Sequence, residues 1–231
     1  MVYVERRAAA VSLARQFGGR IRLVKAGEWM KSKPTPPLQI GRGFQIIHEK
    51  KPTRSSRILS QLHIPQGLAF GSGEHATTYM LLRALVRYRD WNDVAVLDLG
   101  TGSGILALTA RLFGARKIVA TDFDSNATRT ARQNEALNFS TPLIRWQCSE
   151  VKRLRATARY DLVLANLFSG ILCDAAPQII RSVTAGGQLW LSGVLRSQQE
   201  EVIAAYDRQR MSLIRTVSRG KWLMLQWQKN R

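Results

Sequence analysis

From Val94 to its C-terminus the chain alternates short apolar runs with amphipathic stretches, a pattern that few folds accommodate. The runs Val94–Leu99, Lys117–Asp122, Leu143–Cys148, Tyr160–Ala165 and Gly187–Ser192 predict strands. Between them, Gly104–Phe113, Ser125–Asn138, Ile171–Val183 and Ser197–Tyr206 predict helices. The first, second and fourth strands are largely apolar, as a parallel sheet covered on both faces requires. Such alternation implies a doubly wound α/β domain. Gly186 and Gly187 are expected to stop the helix ahead of the fifth strand, and Ser125 and Asn126 to cap the helix behind Asp122. At the end, Met211–Val217 and Trp222–Trp227 flank Ser218-Arg219-Gly220 and predict a closing antiparallel hairpin. The expected sheet therefore has seven strands, mostly parallel.

The front of the chain is less regular. Glu74 to Arg89 is predicted as an amphipathic helix with Met80, Leu81, Ala84 and Leu85 on one side. Gly27 to Pro65, rich in Lys, Pro and Ser, reads as a linker with one hairpin, in which Gly41 to Gly43 turn Leu38–Ile40 onto Phe44–Ile47. Ala8–Phe17 and Arg20–Lys25 predict one helix and one strand, too little for an independent core. The expected organisation is a short N-terminal extension and linker over residues 1–65 and an α/β domain over 66–231. Arg6, Arg7 and Arg15 surround only a brief apolar stretch, so no signal peptide is expected.

A net charge of +19 over 231 residues predicts a strong positive field, which favours RNA, ribonucleoprotein or another acidic surface as a neighbour. Because the basic residues are dispersed, a compositional bias gives the same number. Cys148 and Cys173 have neither metal-ligand spacing nor the density of a disulfide scaffold, so a reducing cytoplasm is the expected compartment. His48, His63 and His75 lack ligand spacing, and no metal is expected. The apolar segment from Tyr160 to Ile180 is interrupted by Asp161, Asn166, Asp174 and Pro177, which predicts a buried strand and helix and no membrane partner.

Ligands of an open parallel sheet bind beyond the carboxyl ends of its strands. The first strand runs into Asp98-Leu99-Gly100-Thr101-Gly102-Ser103-Gly104, which is either a structural glycine turn or a nucleotide cradle. The spacing is G-x-G-x-G. A dinucleotide fingerprint would need glycine where Ile105 stands, and no phosphate-binding P-loop string occurs. Asp98 would repel a pyrophosphate but suits a cationic ligand, such as one carrying a sulfonium and an ammonium. Asp122, at the tip of the second strand, can accept both hydroxyls of a ribose, with Asp124 as the alternative. Either acid would otherwise cap the next helix. Asn166 closes the fourth strand on the same rim. Upstream, Gly67, Gly71 and Gly73 allow close backbone approach to a ligand, and the following helix N-terminus suits a carboxylate; otherwise the segment is a flexible loop.

Asp98-x-Gly100-x-Gly102-x-Gly104 with Asp122 resembles the first two motifs of class I S-adenosylmethionine-dependent methyltransferases, which are Rossmann-like. More narrowly, the ribosomal protein L11 methyltransferase family is resembled by Gly67-Leu-Ala-Phe-Gly-Ser-Gly-Glu-His75-Ala-Thr-Thr78, Leu97-Asp-Leu-Gly-Thr-Gly-Ser-Gly-Ile-Leu-Ala107, Ala165-Asn-Leu167 and Leu191-Ser-Gly-Val-Leu195. Glu28-Trp29-Met30 with Ile40-Gly41-x-Gly43 resembles that family's interdomain segment. The resemblance implies that Phe70 to Thr78 closes over S-adenosylmethionine, with Thr77 or Thr78 bonding its methionine portion. It also implies that Gly100 approaches the cofactor by its backbone beside Gly102, that Asp122 holds the ribose, and that Asn166 sits beside the reactive methyl. Asn166 suits that place, since an amide can orient an incoming amine without adding a fixed charge. His75 is the best titratable candidate near the reaction, although a hydrogen bond within the loop is its more natural job.

Two departures accompany the resemblance. The family's T-G-T-H-P-T-T pattern has Ser72, Glu74 and Ala76 in place of three residues here, which adds a negative charge and removes a proline. The family also carries an N-terminal substrate-recognition domain, of which only residues 1 to about 27 are expected to remain. The implied activity is S-adenosylmethionine-dependent protein N-methylation, on a lysine or N-terminal amine of a ribosomal or other RNA-associated protein. Nucleic-acid methylation fits the charge, but Leu167-Phe168-Ser169 after Asn166 lacks the proline of base-modifying enzymes. Small-molecule methylation and a non-catalytic RNA-binding role are the remaining alternatives.

Overall fold

A computed structural model describes residues 36–49, 60–65, 71–154, 159–207 and 211–231. Phe70 and the predicted helix and strand near the N-terminus lie outside them. Ten strands are described: β1 (Leu38–Ile40), β2 (Phe44–Ile47), β3 (Ser60–His63), β4 (Ala95–Leu99), β5 (Lys117–Asp122), β6 (Arg145–Cys148), β7 (Tyr160–Asn166), β8 (Val183–Leu195), β9 (Met211–Arg219) and β10 (Trp222–Lys229). The helices are α1 (Ala76–Leu85), α2 (Ile105–Leu112), α3 (Ser125–Asn138), α4 (Ser169–Asp174), α5 (Ala176–Ser182) and α6 (Gln199–Asp207).

The seven strands β4 to β10 form one sheet in the order β6-β5-β4-β7-β8-β10-β9. Only β10 runs against its neighbours, so the expected hairpin closes an otherwise parallel sheet. The period of two along each strand separates the two cores. Val96, Leu162, Leu164, Trp190 and Met224 face α1 and α2, while Leu97, Leu99, Val163, Leu191 and Trp227 face α4, α5 and α6.

Three predicted boundaries are overturned, each for a local reason. The helix expected over Ile171–Val183 is two helices that break at Ala175, because Pro177 in the first turn of α5 cannot continue the hydrogen-bond ladder of α4. Gly186 and Gly187 do not stop a helix. They lie inside β8, where the register with β7 shifts between Tyr160 and Leu162, as at a bulge. Asp124, rather than Ser125 or Asn126, caps α3 by accepting from the Asn126 N–H at 2.8 Å. In addition, β6 begins at Arg145 rather than Leu143, because the N–H groups of Leu143 and Ile144 both donate to Glu135 at 2.9 Å.

Ahead of the main sheet, the expected hairpin of β1 and β2 is present. It gains a third, parallel strand in β3. Ile40, Phe44, Ile46, Leu62 and Ile64 are buried in the same core as Leu81, Leu82 and Leu106. Asn138, the last residue of α3, fixes β3 through a pair of 2.7 Å hydrogen bonds with the backbone N–H and C=O of His63.

Candidate functional site

Parallel pairing brings the carboxyl ends of β4, β5, β7 and β8 to one rim. Gly100 and Thr101 follow β4 and donate their N–H groups to the Thr121 carbonyl, which fixes the glycine loop to β5. Asp98 lies under this loop with no exposure to solvent. Its Oδ2 accepts from the Thr101 hydroxyl at 2.6 Å and from the Ala107 N–H in the first turn of α2 at 3.3 Å. Its Oδ1 is buried without a hydrogen-bond partner. Burial pushes this carboxyl up to about 7; the two hydrogen bonds hold it down, and the charge of Asp122 adds to the rise.

Asp122, also buried, aims one oxygen at the loop and one at the backbone two residues further on. Oδ2 accepts from the Gly102 N–H at 2.9 Å and Oδ1 from the Asp124 N–H at 3.0 Å. Both oxygens keep an unused lone pair. Beyond this acid, Phe123 is 76% exposed on the rim.

Gly100 is required by its surroundings. Its φ is +70°, and a Cβ there would stand 2.3 Å from Cδ2 of Leu167. Leu167 is in turn held by a 3.1 Å bond from its N–H to the Ser192 carbonyl. Gly193, at φ +88°, lets the chain pass the Leu167 carbonyl, which a Cβ would meet at 2.2 Å. The ends of β7 and β8 thus form a tight wall against the glycine loop.

Asn166 brings the upstream segment into the site. Its Nδ2 donates to the Thr78 hydroxyl at 3.0 Å, across 88 positions of sequence. Thr77 and Thr78 are both buried in the first turn of α1. His75 is exposed, its Nδ1 lies 2.8 Å from the Thr77 hydroxyl, and its ring meets Trp222 edge-on at 5.0 Å. The Ser103 hydroxyl donates to the Gly71 carbonyl at 2.6 Å, so the two glycine segments touch. Asp98, Gly100, Gly102, Asp122, Asn166, Thr77, Thr78 and His75 therefore share one region at the sheet's carboxyl rim.

Ser103, Asn134 and Ser192 went unassigned in the sequence. Asn134 of α3 donates to the Ser103 carbonyl at 2.8 Å and braces the glycine loop from behind. The Ser192 hydroxyl lies within hydrogen-bond reach of the Thr77 and Leu223 carbonyls, at 3.2 and 3.1 Å. The available signal for Ser192 was a small polar residue and a glycine interrupting an apolar strand; Asn134 gave none.

The family model described as ribosomal protein L11 methyltransferase (PrmA) matches residues 3–230. A ribosomal protein L11 methyltransferase of Pelobacter propionicus is 36% identical over 213 residues, covering 89% of this chain and 68% of its own length. That of Chromohalobacter salexigens is 37% identical, over 86% of this chain and 64% of its own length. Such relatives are longer: this chain spans 52% to 68% of the first few. Among solved structures, ribosomal protein L11 methylase from Lactobacillus delbrueckii superposes with a TM-score of 0.76 at 27% identity, covering 84% of this chain and 99% of that one. The N-methyltransferase NodS of Bradyrhizobium japonicum, solved with S-adenosyl-L-homocysteine, shares the fold alone, with a TM-score of 0.56 at 14% identity over 68% of this chain and 90% of that one. With nearly every residue matched by one family model, on a sheet whose rim gathers that family's motifs, the chain belongs to the ribosomal protein L11 methyltransferase family.

Proposed function

We propose that the protein is an S-adenosylmethionine-dependent N-methyltransferase whose acceptor is an amine of a ribosomal protein, with L11 the first candidate. Residues 66–231 supply the catalytic domain in this reading. The observation that carries it is the junction of Asn166 with Thr78 above a glycine loop flanked by Asp98 and Asp122. The donor set fits the cofactor. The unpartnered, buried Oδ1 of Asp98 calls for a cationic or hydrogen-bonding partner beside the loop. Asp122 keeps lone pairs for a ribose, and the N-terminus of α1 favours a carboxylate. Thr78 accepts from Asn166 and so retains its own O–H for donation to that carboxylate. Phe123, exposed beside Asp122, offers a face for an adenine.

When bound, the cofactor supplies an electrophilic methyl on a sulfonium. Asn166, with Nδ2 committed to Thr78, presents Oδ1 as an acceptor to the incoming amine. This orients the amine for in-line attack, and such alignment lowers the barrier by removing orientational entropy before the reaction. His75 acts as a positioning residue that ties the loop to Thr77 and to Trp222. The amine's proton leaves to solvent at the open rim, where Phe168 is 74% exposed.

The test incubates the protein with methyl-labelled S-adenosylmethionine and purified ribosomal protein L11, and in parallel with ribosomal RNA. The expected label resists RNase, is lost to protease and maps to a lysine or N-terminal amine by mass spectrometry. Asn166→Ala should lower kcat by about 100-fold while leaving cofactor affinity within about threefold. Label found only in RNA would overturn the reading.

A further inference from the structure

Helix α1 carries a second set of side chains beyond the site. Thr78 touches Asn166, and the next residue, Tyr79, lines a cleft of about 390 Å³ between α1 and strands β8 to β10. Tyr79, Arg83 and Arg87 follow at four-residue spacing and form one stripe on this helix and its extension. Arg215 and Arg219 reach the same cleft from β9. Arg42, in the turn between β1 and β2, joins Arg83 and Arg87 around an adjoining cavity.

All the cations of this surface are arginines, and among the described residues none of them is paired with a carboxylate. The ion pairs lie elsewhere, at Arg111–Glu135, Lys152–Asp174 and Arg153–Glu150. Asp90 and Asp161 act on Tyr88, one of the lining residues, and Asp161 is engaged by the Ala95 N–H at 2.9 Å. Gathering like charges around one concavity is self-repulsive, and a bound anion relieves it. The arginines are also partly organised. The Arg219 guanidinium lies 3.9 Å from the Tyr79 ring centroid, which holds its fork at the cleft wall.

We infer that this cleft binds the phosphate backbone of RNA. Guanidinium forks match phosphate oxygens in a bidentate way. Tyr79 and the half-buried Tyr88 interleave aromatic rings with the arginines on the cleft wall, a pairing that RNA-binding surfaces use, while Trp190 belongs to the core. The net charge of +19 supplies a long-range field suited to a polymer with one charge per residue. A concave, arginine-only surface is a poor match for a flat lipid headgroup layer. The site is separate from the methyl-transfer rim, so its test does not depend on the acceptor.

The probe is a fluorescein-labelled 20-nucleotide single-stranded RNA of mixed sequence, followed by polarisation over a salt series. A polyglutamate peptide of equal charge and phosphatidylglycerol vesicles serve as parallel probes. R83A/R215A/R219A is expected to weaken RNA binding at least tenfold. It should also flatten the dependence of log Kd on log salt by about 2, since each lost phosphate contact on a single strand removes roughly 0.7. R132A/R145A/R181A, which removes the same charge elsewhere, should stay within about threefold of the wild type. Thermal melting checks the fold; if the first variant is unfolded, the exposed Arg215→Glu and Arg219→Glu single variants carry the same expectation. The inference is overturned if both triple variants behave alike, if the cleft variant binds RNA like the wild type, or if only peptide or vesicle binding depends on the cleft.

Discussion

Asp98 combines two demands that a single carboxylate rarely meets. It holds the glycine loop to α2 through Thr101 and Ala107, yet its second oxygen stays without a partner in the interior. Burial pushes it up to about 7, so near neutral pH the group stands between its two protonation states. The ionised form attracts a cationic ligand, and raising the pH through 7 populates that form. Cofactor affinity should therefore tighten about tenfold between pH 6 and pH 8, in proportion to the ionised fraction. Asp122, the other charge acting on Asp98, contributes to the rise. Calorimetry across this range tests it, and Asp98→Asn should give a flat profile. A wild-type affinity that ignores pH would remove Asp98 from the cofactor's reach.

At the scale of elements, Glu135 decides how α3 meets its neighbours. Its carboxylate accepts from the N–H groups of Leu143 and Ile144, from the Trp146 indole at 2.7 Å and from Arg111. Burial opposes ionisation, but these four donors outweigh it and hold the carboxyl below its ordinary value. A depressed carboxylate stabilises the fold above its unfolded-state value, about 4.3, and this contribution is lost as the pH falls through the folded value. Glu135→Gln should cost about 3 kcal/mol in chemical denaturation at pH 7, because Arg111 is left without its charge partner. The difference between the two proteins should shrink in acid. Equal stability at pH 7 would mean that the Arg111 ion pair adds nothing to the hold of α3 on its neighbours.

On the scale of the whole molecule, residues 36–231 form one compact unit whose main sheet separates two cores. The strands β1 to β3 bury Ile46 in the first core, while Val163 lies in the second. Ile46→Ala should cost about 2–5 kcal/mol and lower the same calorimetric transition that Val163→Ala lowers. A separate early transition moved only by Ile46→Ala would show that the small sheet melts by itself. No helix among the described residues is long and apolar enough to cross a membrane.

What the sequence by itself determined is the doubly wound sheet, its closing hairpin and the identity of the rim. Apolar runs such as Val94–Leu99 are local signals, and parallel connectivity forces the ends of β4, β5 and β7 to one side, so Gly100, Asp122 and Asn166 had to meet. What only the tertiary structure decided depends on partners far apart in the chain. Asn166 reaches Thr78 across 88 positions, and Asn138 recruits β3 across 75. Arg83 and Arg219 share a cleft because α1 crosses β9. Strand and helix periodicity states which face a residue takes; it does not state which distant residue shares that face. For that reason the glycine loop could be read from its letters, whereas the burial of Asp98 beneath it could not.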